Sequence, residues 1–268
     1  MTLSIAIAGA AGRMGRALIR AASADARFAV TGGSERRDSP NLDADLGMLA
    51  GLPASGIVTH DCASAAASKA DVWLDFTTPQ ATLAALESLT ATQVRAAVVG
   101  TTGLNPQEEA AVAAHAKRIA IVRSGNFSLG VNLLAALVEQ AASKLGPEWD
   151  IEIVEAHHRR KADAPSGTAL LLGEAAARGR AAKLEALRTP PRDGVTGPRD
   201  EGSIGFAVVR GGGIIGEHDV LFAAEREVLK LSHQALDRAV FADGALAAAL
   251  WAANKPPGLY SMRDVLGL

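Results

Sequence analysis

Leu3-Ser-Ile-Ala-Ile-Ala-Gly9-Ala-Ala-Gly12-Arg-Met-Gly15 opens the chain with an apolar run that stops at a glycine turn. Arg16 to Ala24 continues with helical periodicity, so the segment reads as strand, tight turn and helix. Related runs follow along the chain. Phe28 to Thr31 is apolar and closed by Gly32-Gly33, and Val72 to Phe76 leads through Thr77-Thr78-Pro79 into a helix from about Ala81 to Leu89. Ala96 to Val99 ends in Gly100-Thr-Thr-Gly103 and precedes a helix from Pro106 to Lys117, and Ile119 to Val122 ends in Arg123-Ser-Gly-Asn126-Phe127. Apolar runs alternating with helices mean βαβ units and a parallel sheet. The polar, glycine-containing loops all follow the strands' carboxyl ends, the side on which open α/β sheets bind ligands.

The pattern changes after Asn126. Val131 to Lys144 reads as a longer helix, Ile151 to Glu155 as an alternating strand, and Ala169 to Arg178 as a helix. Arg188 to Gly202, rich in Pro, Gly and Arg, reads as a long loop. Ile204 to Arg210, Asp219 to Ala223 and Val228 to His233 read as strands of a mixed or antiparallel sheet, and Phe241 to Ala253 as an alanine-rich helix. The expectation is an α/β chain. A Rossmann-type dinucleotide-binding domain spans 1–128, with a C-terminal helix over 240–268 returning to it, and an α+β domain with a mixed sheet spans 129–239.

Composition narrows the function classes. With 49% hydrophobic and 21% charged residues, a soluble chain with a sizeable core is expected. A net charge of −2 gives no global attraction to nucleic acid or anionic membrane, so any basic site is local. Cys62 is the single cysteine, which excludes an intrachain disulfide and zinc sites built on several thiolates, and fits a reducing compartment. No basic segment precedes the first apolar run, and no apolar run reaches the roughly 18 residues of a membrane span. The cytoplasm is the expected location.

Glycines 9, 12 and 15 have the spacing G-x-x-G-x-x-G between a strand and a helix, which a tight turn alone would also require. Glu35 follows the second strand about 20 residues on, where a carboxylate can hold the ribose hydroxyls of NAD. Arg36 and Arg37 come next, and Arg13 lies inside the glycine turn; a guanidinium at either place can pair with the 2′-phosphate of NADP. The residues thus suggest a site that accepts both cofactors, against the plainer reading of a solvated charged turn.

Glu155-Ala-His157-His158-Arg159-Arg160-Lys161-Ala-Asp163-Ala-Pro165-Ser166-Gly167-Thr168 carries the chemistry. Aromatic residues are 4% of the chain, which argues against a nucleic-acid patch. Adjacent histidines on a strand point to opposite faces, which argues against a shared metal, and none is expected. The N–H groups of Gly167 and Thr168 at a helix start suit a carboxylate or phosphate. Lys161 and one histidine are placed to grip a second acidic group or to donate a proton.

This run resembles the signature of the 4-hydroxy-tetrahydrodipicolinate reductase family, long called dihydrodipicolinate reductase, of the diaminopimelate route to lysine. The likeness extends to Gly9 to Gly15, Asp75-Phe-Thr, Gly100-Thr-Thr-Gly103, Asn126-Phe-Ser, Gly205-Phe-Ala, Gly216-Glu-His and Met262-Arg-Asp-Val-Leu266. It implies an NADH- or NADPH-dependent oxidoreductase acting on a small dicarboxylate. His157 would be proton donor and acceptor and Lys161 a proton donor. His158, Lys161, Gly167 and Thr168 would hold the substrate carboxylates, with Ser166 assisting and Arg238 adding a contact. Gly9, Ala10, Ala11, Gly12, Arg13, Met14, Glu35, Arg36, Gly100, Thr101, Thr102, Ser124, Gly125, Asn126 and Phe127 would line the cofactor. It also implies a homotetramer assembled through the sheet of the second domain. Ala11 stands where many members have glycine, and residues 34–50 form a loop on which the members vary. A dehydrogenase of another small dicarboxylate or amino acid, and a non-catalytic NADPH sensor, are the competing readings.

Overall fold

Three strands in the first half are apolar on both faces, as strands covered by helices on two sides must be. They are β4 (Val72–Asp75), β5 (Ala96–Val99) and β6 (Ala120–Arg123), and of their residues only Arg123 escapes full burial. The computed structural model describes residues 2–268. It divides into two units, Met1–Leu129 with Ala239–Leu268, and Gly130–Arg238.

The first unit holds a seven-stranded sheet in the order β11-β6-β5-β4-β1-β2-β3. Its remaining strands are β1 (Leu3–Ala8), β2 (Phe28–Ser34), β3 (Thr59–His60) and β11 (Gly258–Tyr260), and every neighbouring pair is parallel. β1 has β2 on one side and β4 on the other, so the order reverses at β1 and opens a crevice at its carboxyl end. α1 (Arg13–Ser23) follows β1 directly. Short helices α2 (Leu46–Leu49) and α3 (Ala63–Ala66) lie between β2 and β4, and longer ones, α4 (Pro79–Ser88) and α5 (Pro106–His115), lie between β4 and β6. Local chemistry starts these helices where they start. Asn105 and Glu108 form a reciprocal capping box at α5, and Pro79 and Pro106 stand in the first turns of α4 and α5, where a missing N–H costs nothing. Trp73 is fully buried against the β-sheet's helices, and burying a side chain of that kind contributes about 1.5–3 kcal/mol.

The second unit is built on a four-stranded mixed sheet in the order β10-β9-β7-β8. β7 (Asp150–His157) is parallel to β8 (Ile204–Arg210) and antiparallel to β9 (Gly216–Ala223), which is antiparallel to β10 (Val228–Ala235). Burial alternates along β7, so Ile151, Ile153, Glu155 and His157 share its inner face. The core there is Ile151, Ile153, Val220 and Phe222 against α6 (Leu129–Lys144) and α7 (Gly167–Gly179). A short helix, α8 (Leu184–Leu187), follows α7.

Two expectations are corrected. Gly32-Gly33 does not close the second strand, which runs through both to Ser34. A Cβ on Gly32 would sit 1.9 Å from the carbonyl oxygen of Ala66, so glycine is present for a close helix approach and not for a turn. The segment 240–268 is not one helix either. α9 (Ala239–Ala252) stops, Lys255-Pro256-Pro257 breaks the ladder, and the chain adds β11 to the sheet edge before α10 (Met262–Leu266).

Candidate functional site

In the first unit the glycine turn lies at the carboxyl end of β1. Gly9 has φ of +60°, a left-handed conformation suited to glycine. A Cβ on Gly15 would lie 2.3 Å from the Gly9 carbonyl oxygen, so the turn closes only without that side chain. Gly12 caps α1 with no side-chain hydrogen bond, and no acidic residue occupies the helix's first turn. Its first-turn N–H groups therefore carry a positive partial charge that no acidic side chain of the helix itself offsets. Glu35, one residue past β2, leans over the turn and accepts the Ala11 N–H at 2.8 Å. Gly9, Ala11, Gly12, Glu35, Arg36 and Thr77 line a cleft of about 690 Å³. This bare, cationic turn beside a carboxylate fits a dinucleotide, its pyrophosphate on the N–H groups and a ribose at Glu35.

The other expected cofactor residues lie along the same sheet edge. Arg36 is highly exposed, 3.8 Å from Asp38, while Arg37 is drawn off to Asp61 at 3.2 Å. Arg13 is exposed at the start of α1. Gly100, Thr101 and Thr102 follow β5, and a Cβ on Gly100 would collide with the Phe76 ring at 2.1 Å. Thr101 itself turns inward. Its hydroxyl donates to Asp75 at 3.2 Å and accepts the Thr77 N–H at 3.0 Å. Buried Asp75 also accepts from the Thr77 hydroxyl at 2.6 Å, the Thr82 hydroxyl at 3.1 Å and the Trp73 indole at 3.3 Å. This hub, to which sequence reasoning gave no role, ties the loop after β4 to the loop after β5. After β6, Ser124 donates to the Asn126 carbonyl at 2.7 Å and buried Phe127 packs edge-on against Phe76 at 5.3 Å.

In the second unit the expected proton donors gather where β7 ends and α7 begins. His157 Nδ1 lies 2.6 Å from Glu155 Oε2. Arg210 grips the same carboxylate with both guanidinium nitrogens, each at 2.7 Å, and its Nη2 also reaches the Asp163 carbonyl. Ser166 N–H donates to Glu155 Oε1 at 2.9 Å. Burial raises the Glu155 carboxyl, but the hydrogen bonds from Arg210, His157 and Ser166 outweigh it and hold the group below the usual carboxylate range.

Ser166 is the N-cap of α7, its hydroxyl accepting the Ala169 N–H at 3.1 Å. The same hydroxyl lies 3.1 Å from His218 Nε2, and the His218 ring meets the His157 ring edge-on at 5.1 Å. Burial, then the charge of His157, pushes His218 down to about 4, so it is neutral near neutral pH. Gly167 is exposed at the helix start, and a Cβ there would meet nothing within 4 Å. Thr168 is the next residue of the same helical turn.

Lys161 extends to Asp163 at 2.7 Å, with only 20% of its side chain exposed against 60% for the aspartate. The lysine's bond, ahead of burial, lowers the Asp163 carboxyl. His158 lies just beyond β7. Burial first, then the charges of Arg238, Arg160 and His157, lower its pKa, so it too is neutral at neutral pH, and Arg238 is near enough to be felt. The structure thus brings His157, Lys161, His158, Ser166, Gly167 and Arg238 to one end of the second unit. Sequence reasoning missed Arg210 and His218, and gave Glu155 no role. A guanidinium closing the apolar run Ile204 to Arg210, and the histidine of Gly216-Glu-His218, were the available signals. Among the described residues no group of three or more His, Cys, Asp or Glu is placed to hold a metal ion, and no helix is long and apolar enough to cross a membrane.

Comparison with known proteins covers both units. Residues 3–127 match the family model for the dihydrodipicolinate reductase N-terminus, and residues 130–266 match that for its C-terminus. The chain is 53% identical over 266 residues to the 4-hydroxy-tetrahydrodipicolinate reductase of Rhodopseudomonas palustris strain BisA53, covering 99% of this chain and 97% of that one. It is 52% identical over 266 residues to the protein of that name from Caulobacter vibrioides, with the same coverage of 99% and 97%. A solved structure, a dipicolinate-bound dihydrodipicolinate reductase from Paenisporosarcina sp. TG-14, superposes with a TM-score of 0.79 at 25% identity, covering 98% of this chain and 99% of that one. An amine dehydrogenase from Mycobacterium smegmatis, at 15% identity and a TM-score of 0.66 over 98% and 95% of the two chains, shares the fold alone.

Proposed function

The chain belongs to the dihydrodipicolinate reductase family, a family of pyridine-nucleotide oxidoreductases whose N-terminal domain binds the dinucleotide, and we propose that it reduces 4-hydroxy-tetrahydrodipicolinate to tetrahydrodipicolinate with NADH or NADPH, in the diaminopimelate route to lysine. The observation that carries this is the constellation ending β7, in which an acid–base histidine, a lysine and an exposed helix N-terminus stand together on a chain that matches the family over both units.

The residues divide the work by chemistry. Gly167 and Thr168 offer backbone N–H groups, and His158, Lys161, Ser166 and Arg238 offer side chains, so two carboxylates can be held apart on one substrate. The hydride comes from C4 of the reduced nicotinamide, which is the cofactor's chemistry. Loss of the 4-hydroxyl as water leaves a conjugated imine, and as the hydride adds to it, charge builds toward the ring nitrogen. Lys161, leaving Asp163 to do so, and His157 in its imidazolium form, through Nε2–H, stabilise it and supply the proton.

For the cofactor, Gly9, Ala10, Ala11, Gly12, Arg13 and Met14 carry the pyrophosphate, and Gly100 to Thr102 with Ser124 to Phe127 line the nicotinamide side. Glu35 serves the ribose hydroxyls of NADH and Arg36, exposed at the same cleft, serves the 2′-phosphate of NADPH. A homotetramer assembled through the second unit's sheet belongs to the same proposal, supported by the outward Val208, Val209, Val228 and Leu229 on β8 and β10. So does a cytoplasmic location, supported by a single, unpaired cysteine. Purified protein given synthase-generated substrate and either reduced nicotinamide is expected to consume it. Consumption of neither would refute the reading.

A further inference from the structure

We infer that Glu155, clamped by Arg210, is the positioning residue for His157, fixing the ring in the tautomer that carries its proton on Nδ1 and leaves Nε2 for the substrate. The inference rests on the acid–base role proposed above for His157.

The bond inventory supports it. Arg210 alone satisfies a buried carboxylate, since both its nitrogens reach Glu155, one to each oxygen. Yet Glu155 takes two further donors, and both belong to the site: Oε2 takes the His157 ring and Oε1 takes the N–H of Ser166, the cap of α7. Arg210 in turn holds the carbonyl of Asp163, in the loop that carries Lys161. One ion pair therefore fixes the histidine, the anion-binding helix start and the lysine loop together.

Tautomer follows from donor chemistry. An ionised carboxylate only accepts, so the Nδ1 at 2.6 Å must be the protonated nitrogen. Nε2 then lies over Gly216, where a Cβ would come within 3.1 Å of it, so the absent side chain keeps room beside the reactive nitrogen. The charged and titratable groups seen at the ring are Glu155 on β7, bonded to Nδ1, and His218 on β9, edge-on to it, with Arg210 on β8 one bond further out on the Glu155 carboxylate. Among these Glu155 is the group in direct contact with the ring nitrogen, as in other sites where a carboxylate orients a catalytic imidazole.

The test combines ring ¹⁵N NMR of the wild type with kinetics of Glu155→Gln, Glu155→Asp and His157→Gln. The His157 signals, identified by their loss in His157→Gln, are expected to show Nδ1–H and unprotonated Nε2 in the neutral ring. Glu155→Gln is expected to lose about 30- to 100-fold in kcat, with KM for substrate and reduced cofactor within about threefold, and Glu155→Asp to recover part of it. A neutral wild-type ring protonated on Nε2 overturns the inference, and that measurement stands even if the variants fail to fold. So does full turnover of Glu155→Gln beside an inactive His157→Gln, or a loss confined to KM and melting temperature, the mark of a purely architectural ion pair. Full turnover of His157→Gln would instead overturn the reading on which the inference rests.

Discussion

The two units hold their proposed ligands in opposite ways. The glycine turn of the first works by omission: Gly9, Gly12 and Gly15 leave a bare backbone, and the side chains bonded to it, Glu35 at the Ala11 N–H and Arg16 at the Ala11 carbonyl, both meet it at one residue. The second works by accumulation: Glu155, Arg210, His157, Ser166 and His218 form one connected set of bonds ending at an exposed helix start. Binding a constant cofactor needs only shape and partial charge. Moving a proton at a chosen atom needs a fixed tautomer and fixed charges, hence a network. Substitutions should therefore act differently in the two places.

The largest effect is expected at Lys161. Lys161→Ala removes a charge and a proton donor, and should lower kcat about 10²–10³-fold while reduced-nicotinamide affinity, titrated by fluorescence, stays within about twofold. Equal loss of cofactor binding would show the lysine to be misplaced.

Next comes acid stability of the second unit. His218 is held near 4 when folded against an ordinary value of 6.5, so between these values the unfolded chain binds the extra proton. Its stabilising contribution is complete above about pH 6.5 and falls as pH drops toward 4, by at most roughly 3 kcal/mol. His158 and His233 are shifted the same way. Melting temperatures of wild type and His218→Gln across this window should converge as pH falls, and parallel curves would refute the assignment.

In the first unit, Gly15→Ala places a Cβ 2.3 Å from the Gly9 carbonyl oxygen. The strain should cost about 1–3 kcal/mol of stability in denaturant melts and weaken either cofactor about tenfold. The smallest effect belongs to Arg36, whose side chain is 78% exposed. Arg36→Ala should weaken NADPH about fivefold and leave NADH nearly unchanged, because an exposed guanidinium contributes about 1 kcal/mol to an anion. Equal change for both would move 2′-phosphate recognition elsewhere, with Arg13 the next candidate.

These differences also explain what the sequence made legible. The parallel sheet and the mixed sheet could be read because their signals are local: apolar runs such as Leu3–Ala8 and Ala96–Val99, and alternation along β7. The glycine turn likewise announces itself within a few residues. Gly32 was misread because its reason is tertiary, a carbonyl of Ala66 pressed against the strand. β11 has only three residues and is a strand because β6 offers it a free edge. The Glu155–Arg210 pair spans 55 positions and exists because β7 and β8 set His157 opposite Arg210, a register that no local pattern encodes. Asp75 was quoted for its motif, but its bonds to Thr82 and Thr101 come from two separate elements.

The most direct test of the central claim follows the hydrogen itself. Purified protein is given synthase-generated 4-hydroxy-tetrahydrodipicolinate and a reduced nicotinamide deuterated at both C4 positions, and the product is examined by mass spectrometry. Tetrahydrodipicolinate carrying one deuterium is the expected result. Unlabelled product, or substrate recovered intact with either cofactor, would contradict the account.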